Sequence, residues 1–181
     1  MTRNAKRAAI IGAGVLVLAG GIFFVLNRDA IEDVPIVGAL AEEPECPLTS
    51  RDPARESLVD RPAVAIKIEN NPVAYPLSGL EDAEIVYEEP VEGGLTRFLA
   101  IYHCTDSSQA GPVRSARVVD PPLITPYTRI LGAAGGNDIV IDELNAAEIV
   151  IVDETKAGSA MTRVERPGIT FEHTLYADSA A

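Results

Sequence analysis

The stretch EIVYEEPVEGGLTRFLAIYHC, residues 84–104, places two apolar runs on either side of a Gly-Gly pair. Residues 84–89 and 95–104 carry the β-branched and aromatic side chains typical of strands. Pro90 ends the first run and Gly93-Gly94 supplies a turn, so the stretch predicts a β-hairpin with a loop of about five residues. Several carboxylates and one arginine surround the turn, which makes it a candidate site as well as a fold nucleus.

A further strand is predicted upstream, in RPAVAIKIEN at residues 61–70. After Pro62 the side chains alternate between an apolar face and a partly charged face: Val64, Ile66 and Ile68 against Ala65, Lys67 and Glu69. Because the second face carries two charges, the pattern predicts a strand with one buried face only.

The second half of the chain mixes short helices with strands. Pro121-Pro122 stops a helix from running through that point, which leaves room for a short helix over residues 126–131. Asn137 is the predicted N-cap of the next helix, which has acidic residues in its first turns. Residues 148–152 follow as a strand. The sequence therefore predicts an α+β domain over residues 46–181, with a small mixed sheet and short helices.

The first 45 residues differ in character from this domain. Residues 8–26 are uncharged and come close to the ~20 residues that cross a bilayer as one helix. The basic tip at residues 1–7 precedes them and acidic residues follow, so the positive-inside rule places the tip in the cytoplasm and the domain outside. Residues 27–45 have the composition of an extracytoplasmic tether. We expect a single-pass protein of the cell membrane.

A cleaved signal peptide and a lipid anchor are the alternatives to a transmembrane helix at the N-terminus. A cleaved signal peptide is the alternative, although its A-x-A site at residues 39–41 lies well beyond the apolar run. A lipid anchor needs a cysteine directly after Gly20, where this chain has Gly21. An uncleaved helix therefore fits the sequence best.

The charge of the chain limits its partners. Its formal net charge is -12, and all 27 acidic residues lie after residue 27. Nucleic-acid binding depends on clustered Lys and Arg, so we expect no nucleic-acid partner. An anionic polymer could bind only at a local basic patch.

The two cysteines of the chain are Cys46 and Cys104. Both fall outside the membrane in the predicted topology, where disulfides persist. A bridge between them would tie the start of the domain to the end of the strand at residues 95–104. The two cysteines and two histidines match no zinc spacing, so we expect a disulfide, no metal and no cofactor.

Five blocks of sequence carry a resemblance to a known family: CPLTS, RPAVAIKIENNP, SGLEDAEIVYEEPVEGGLTRFLAIY, GPVRSAR and HTLYAD. In this order they resemble the N-terminal domain of the YerB-like family of bacterial lipoproteins, a domain of unknown function. The resemblance implies an extracytoplasmic, membrane-attached protein. Family members continue into a C-terminal domain, which we expect to be absent from this chain and to be a candidate partner. They tend to carry other polar residues where this chain has Tyr75, Leu77 and Thr174, so a site using those positions would be altered.

Nine residues near the hairpin turn and the GPVRSAR segment form the predicted ligand site: Lys67, Asn70, Glu88, Glu92, Arg97, Arg114, Arg117, Asp120 and His173. In a pocket the arginines would clamp an anionic ligand through paired hydrogen bonds. Glu88 or Glu92 would serve as a general acid or base, and His173 as a proton shuttle. Alternatively, Glu–Arg pairs across a hairpin are ordinary cross-strand partners, and the loop arginines only order their loop.

Two functions remain open from the sequence. The first is a binding or scaffolding module for a cell-envelope polymer or an envelope protein. The second is a cell-envelope hydrolase or transferase that uses a Glu/Arg/His cluster. If the charged residues converge in a concave pocket, the enzyme is favoured. If they are dispersed along an edge of the domain, the scaffold is favoured. A domain that only packs against its C-terminal partner would instead expose a large apolar face.

Overall fold

A computed structural model describes residues 44–181 of the chain. The basic tip, the predicted transmembrane helix at residues 8–26 and nearly all of the tether lie outside the described residues. Within residues 44–181, no helix is long and apolar enough to cross a bilayer. This part of the chain is α+β, as the sequence predicts.

A five-stranded mixed sheet in the order β2-β3-β1-β4-β5 forms the centre of the domain. Its strands are β1 (Val64–Glu69), β2 (Ile85–Pro90), β3 (Thr96–Tyr102), β4 (Ile130–Gly132) and β5 (Val150–Val152). β3 pairs antiparallel with β1 and β2, whereas β4 pairs parallel with β1 and β5. The antiparallel and parallel halves of the sheet therefore meet at β1, the central strand.

β2 and β3 form the predicted hairpin, with a continuous ladder along Ile85–Pro90. In the connecting loop Gly93 and Gly94 have φ values of 75° and 72°, a left-handed conformation that glycine adopts without steric cost. The Val91 N–H donates to the Leu95 carbonyl at 2.9 Å and closes the loop. The Gly-Gly pair therefore turns the chain as expected.

Two helices, α1 (Asp120–Ile124) and α2 (Asp138–Ala146), pack on one face of the sheet. The Asn137 side chain accepts a hydrogen bond from the Val140 N–H at 3.0 Å, which confirms the predicted N-cap. Val140 and Leu144 are one helical turn apart and both are buried. The predicted helical spacing thus matches the face that α2 presents to the core.

The helix predicted over residues 126–131 is wrong. The helix in this region is α1, which lies upstream and carries Pro121 and Pro122 in its first turn. Proline is tolerated there because N–H groups of the first turn have no acceptor within the helix. Downstream, the Thr128 hydroxyl accepts a hydrogen bond from the Ile130 N–H at 3.1 Å, and the chain enters β4 at that point.

The other face of the sheet is covered by a two-stranded antiparallel sheet, β6 (Met161–Arg163) and β7 (Leu175–Ala177). The GPVRSAR segment runs between the two sheets. Its Arg114 N–H donates to the Lys67 carbonyl at 3.0 Å, and its Val113 N–H donates to the Leu175 carbonyl at 2.6 Å. This segment therefore fixes β7 against the end of β1.

β1 is buried on both faces, which corrects the prediction of one exposed face. The helix side holds one core, which includes Ala65, Leu99, Ile101, Leu131, Val140 and Leu144. The β6–β7 side holds a second core, which includes Ile66, Ile68, Ala100, Tyr102, Val113 and Leu175. Lys67 and Glu69 therefore lie at 0% and 4% exposure, because β1 is central and both sides of the sheet are covered.

Cys46 and Cys104 form the predicted disulfide, with Cα atoms 6.0 Å apart, within the ordinary range for such bridges. Both cysteines are buried and pack with Leu58. The bridge joins the beginning of the domain to the residues directly after β3.

The double variant C46S/C104S is expected to be less stable than the oxidised chain by about 2–4 kcal/mol, because the bridge closes a long loop in the unfolded chain. Denaturant unfolding of the full chain measures the difference. Wild type treated with dithiothreitol should unfold at the midpoint of the double variant. An unchanged midpoint after reduction would contradict this role of the bridge.

Candidate functional site

One end of the central sheet carries a dense group of charged side chains. This rim cluster consists of Lys67, Glu69, Glu89, Glu92, Arg97, Arg114, Arg117, Asp120 and His173. Side chains alternate along a strand, and Glu69 on β1 and Glu89 on β2 both lie opposite Arg97 on β3. The strand register therefore places the three on one face, toward the loop that leads into α1.

The Lys67 ammonium is the buried centre of the rim cluster. Its Nζ lies 2.7 Å from Asp120 Oδ1 and also contacts Glu89 Oε1. All three side chains are at most 5% exposed. Burial lowers the pKa of Lys67 to about 8, and the ion pair with Asp120 opposes this shift without reversing it. Because buried charges are costly unless paired, this triad ties β1, β2 and α1 together.

Asp120 extends the triad to the loop before α1. Its Oδ2 accepts a hydrogen bond from the Arg117 N–H at 2.6 Å. The backbone of Arg117 is therefore fixed by a carboxylate whose other oxygen is held by Lys67. In the same triad, Glu89 Oε2 has no hydrogen-bond partner among residues 44–181.

Glu69 orients the imidazole of His173. Glu69 Oε2 lies 2.5 Å from His173 Nδ1, and Glu69 Oε1 lies 3.2 Å from Arg114 Nε. The contact with Arg114 is an ion pair, and Arg114 donates a hydrogen bond through Nη1 to the Glu172 carbonyl at 2.9 Å. A buried carboxylate on Nδ1 fixes the ring and directs Nε2 away from it. The result is an oriented imidazole beside a guanidinium.

Arg97 is the least compensated charge of the rim cluster. Its Nη1 donates to the Ser115 carbonyl at 2.8 Å, and no carboxylate of the described residues lies within 4.0 Å of its guanidinium. Burial, together with the nearby charges of Arg117 and Arg114, lowers the pKa of Arg97 to about 10. Three guanidinium groups therefore lie close to one another at this end of β3.

Glu92, in the hairpin loop, partly neutralises this charge from outside. Its Oε2 accepts hydrogen bonds from Arg117 Nη2 at 2.6 Å and Arg117 Nε at 3.1 Å. The hydrogen bond from Arg117 is the main cause that lowers the pKa of Glu92. The Glu92 side chain is 75% exposed and that of Arg117 is 21% exposed. This pair is in contact with solvent, unlike the triad around Lys67.

Asn70 and Glu88 lie apart from the rim cluster, on the opposite face of the strands. Asn70 Nδ2 donates to Thr96 Oγ1 at 2.7 Å and to Glu88 Oε1 at 3.2 Å. The Tyr75 hydroxyl donates to Asn70 Oδ1. These four side chains form a small, solvent-exposed polar network of their own.

The structure thus brings together seven of the nine predicted site residues and adds Glu69 and Glu89, which the sequence reasoning left out of the site. The alternation of side chains along a strand, with a period of two residues, could have identified both. Glu69 follows Lys67 on the same face of β1, and Glu89 follows Tyr87 on the same face of β2. Glu69 lies on the strand face that the sequence predicts to be exposed because of its charges, and Glu89 is one of the carboxylates beside the predicted turn.

The chemistry open to the rim cluster is anion binding or proton transfer. Four cations, four carboxylates and the oriented imidazole of His173 are close together. Across residues 44–181, no group of three His, Cys, Asp or Glu side chains is placed to hold a metal ion. Guanidinium groups that lack a carboxylate partner are suited to a carboxylate or phosphate ligand.

Comparisons with known proteins match the same part of the chain and confirm the resemblance seen in the sequence. Residues 48–181 match the family model described as Protein of unknown function (DUF3048), N-terminal domain. YerB of Bacillus subtilis strain 168, named as a candidate lipoprotein, is 39% identical over 100 residues, which cover 53% of this chain and 28% of YerB. The crystal structure of the B. subtilis YerB protein matches with a TM-score of 0.63 at 31% identity, covering 74% of this chain and 45% of that one. The chain therefore spans less than half the length of YerB.

Lys67→Met is expected to lower the free energy of unfolding by about 3–5 kcal/mol, because it leaves two buried carboxylates without their cation. Chemical denaturation of the full chain measures this loss. Lys156→Met is the matched control: Lys156 is exposed and donates to one carbonyl, so its loss should cost about 0.5 kcal/mol or less. Adding Glu89→Gln and Asp120→Asn to Lys67→Met should restore part of the stability. A Lys67→Met chain as stable as the control would disprove the role of the triad.

Proposed function

The chain belongs to the DUF3048 N-terminal domain family, whose function is unknown, and from this premise we propose that it is a membrane-attached, extracytoplasmic module that binds an anionic group of an envelope component or partner protein. The name of YerB as a candidate lipoprotein supports this location. So does the disulfide, since such bridges persist in oxidising compartments. In this proposal residues 8–26 attach the protein to the membrane and residues 46–181 bind.

The observation that carries the proposal is the position of the Arg97 guanidinium, which lies near other guanidinium groups and has no carboxylate partner among residues 44–181. Burial lowers the pKa of this guanidinium most, and the charges of two neighbouring guanidinium groups, Arg117 and Arg114, lower it further. Within residues 44–181 no carboxylate pairs with it, although the domain as a whole is strongly acidic. Like charges brought together out of bulk water destabilise the fold unless a counter-charge is present. A bound carboxylate or phosphate would supply that counter-charge.

Glu92 acts in this proposal as an internal substitute for the ligand. It occupies the outward side of the Arg117 guanidinium, at 2.6 and 3.1 Å, and is itself largely exposed. Exposed ion pairs contribute little to stability, commonly about 0–1 kcal/mol. A ligand anion can therefore displace Glu92 at small cost and then bridge Arg117 to Arg97. Arg114, held by buried Glu69, stays in place as the third cation.

Retention on isolated bacterial cell wall tests this function. The full chain is mixed with cell wall, the wall is sedimented, and protein in the pellet is measured. Arg117→Ala is expected to weaken retention about ten- to hundredfold, since a hydrogen bond between charged groups contributes about 1.5–3 kcal/mol. Glu92→Gln is expected to strengthen retention, because it removes the internal competitor.

The control for this experiment is Arg129→Ala. Arg129 is exposed and precedes β4 at the opposite end of the sheet from the rim cluster. Arg117→Ala should keep the fold, because its partners are exposed Glu92 and backbone carbonyls. If Arg117→Ala and Arg129→Ala are both retained like wild type, the rim cluster does not bind the wall. Anion binding at Arg97 would then be abandoned for this ligand.

The Glu69–His173 pair favours a second candidate function, a cell-envelope hydrolase or transferase. The 2.5 Å contact between Glu69 Oε2 and His173 Nδ1 orients an imidazole beside Arg114, the arrangement of a general base near an anion-stabilising group. This candidate predicts that soluble fragments are released from the wall and that His173→Gln abolishes release while leaving retention intact. Retention without release would exclude it for this substrate.

A further inference from the structure

A groove beside the rim cluster contains an aromatic side chain that the fold does not bury. The groove has a volume of about 620 Å³ and is lined by residues that include Arg163, Glu165, Arg166, Ile169 and Phe171. None of them belongs to the predicted site. Phe171 is 69% exposed, the largest exposure among the large apolar side chains of residues 44–181.

Phe171 is exposed but held in a fixed position. The Arg163 guanidinium stacks 3.6 Å from the centre of its ring. Arg163 is in turn fixed by two hydrogen bonds to the Glu154 carboxylate, at 2.8 and 2.6 Å, and donates to the Phe171 carbonyl at 2.7 Å. One face of the phenyl ring therefore lies against a fixed cation, and the high exposure leaves the other face to solvent. A supported ring with one open face is a platform for stacking.

Arg166 brings polar groups to the same groove. It donates to the carbonyls of Ala74 and Tyr75, each at 2.7 Å, and to the Tyr176 hydroxyl at 2.8 Å. No carboxylate among the described residues lies within 4.0 Å of its guanidinium, so its charge is not neutralised by an ion pair. Glu165 supplies an acceptor beside this donor. The groove thus offers a hydrogen-bond donor and acceptor next to an aromatic face.

The groove and the rim cluster are joined by a single turn, Phe171–His173. Phe171 lines the groove, the Glu172 carbonyl accepts a hydrogen bond from Arg114, and the His173 ring contacts Glu69. Three consecutive residues therefore connect the stacking platform to the arginines.

Resting on the proposed anion-binding function, we propose that the ligand is an acidic glycan. Its anionic group binds the arginines of the rim cluster, and an adjacent sugar ring stacks on Phe171. The C–H face of a sugar ring is flat and apolar and packs on the electron-rich face of an aromatic ring, while Glu165 and Arg166 bind its hydroxyl groups.

Calorimetric titration of the full chain with three small probes tests this assignment. Trigalacturonate has sugar rings and carboxylates, triglutamate has the same net charge without sugar rings, and maltotriose has sugar rings without charge. We expect trigalacturonate to bind about tenfold more tightly than triglutamate, and maltotriose to bind more weakly than both. Phe171→Ala should reduce the trigalacturonate affinity about two- to tenfold, because it removes one aromatic contact, and leave the triglutamate affinity unchanged.

The variants distinguish failure of the glycan assignment from failure of the anion-binding site. Phe171→Trp should keep the preference for trigalacturonate, and Val150→Ala, an exposed apolar residue on β5 at the far edge of the sheet, should change nothing. Equal affinities for trigalacturonate and triglutamate, both lost in Arg117→Ala and unaffected by Phe171→Ala, would overturn the glycan but keep the anion site. Binding of neither acidic probe would overturn both. Tighter binding of maltotriose than of trigalacturonate would also overturn the acidic glycan.

Discussion

The burial of the Lys67 ammonium between Glu89 and Asp120 is the constraint on which the rest of the rim depends. A lysine at the centre of a covered sheet is unfavourable unless carboxylates meet it there, and these two come from β2 and from the first residue of α1. Once Asp120 is held, it fixes the backbone of Arg117. The position of the Arg117 backbone therefore follows from an ion pair that solvent does not reach.

The two-sided covering of the sheet explains why charge collects at one end. Along β1 the residues nearer its start pack into two apolar cores, one under the helices and one under β6 and β7. Both cores end where charged side chains begin. On the sheet this is the Glu69–Arg97 pair, and beside the sheet it is the GPVRSAR segment between Lys67 and β7. Strands thus present Lys67, Glu69, Glu89 and Arg97. The GPVRSAR segment, held by backbone hydrogen bonds to β1 and β7, adds Arg114 and Arg117. This is the arrangement that a preorganised site requires.

Sequence patterns predicted the elements whose signals are local. The Gly-Gly hairpin, the Asn137 cap of α2 and the pairing of the two cysteines are all present. The position of α1 was missed because two prolines read as a helix stop, although they occupy a first turn where no N–H acceptor is needed. The roles of Glu69 and Glu89 were missed for a different reason. Whether a charged face of a strand is buried depends on partners far along the chain, such as Asp120 and His173, and strand periodicity contains no information about them.

The disulfide also determines how the domain carries a mechanical load. Tension that enters through the residues before Cys46 passes directly through the sulfur atoms to Cys104. The force is therefore carried by the disulfide bond and not by the residues between the two cysteines, which include β1, β2 and β3. These strands cannot be peeled away from the N-terminal side while the bridge is closed. A pull on the residues before Cys46 is therefore transmitted to Cys104 without first unpairing the antiparallel half of the sheet.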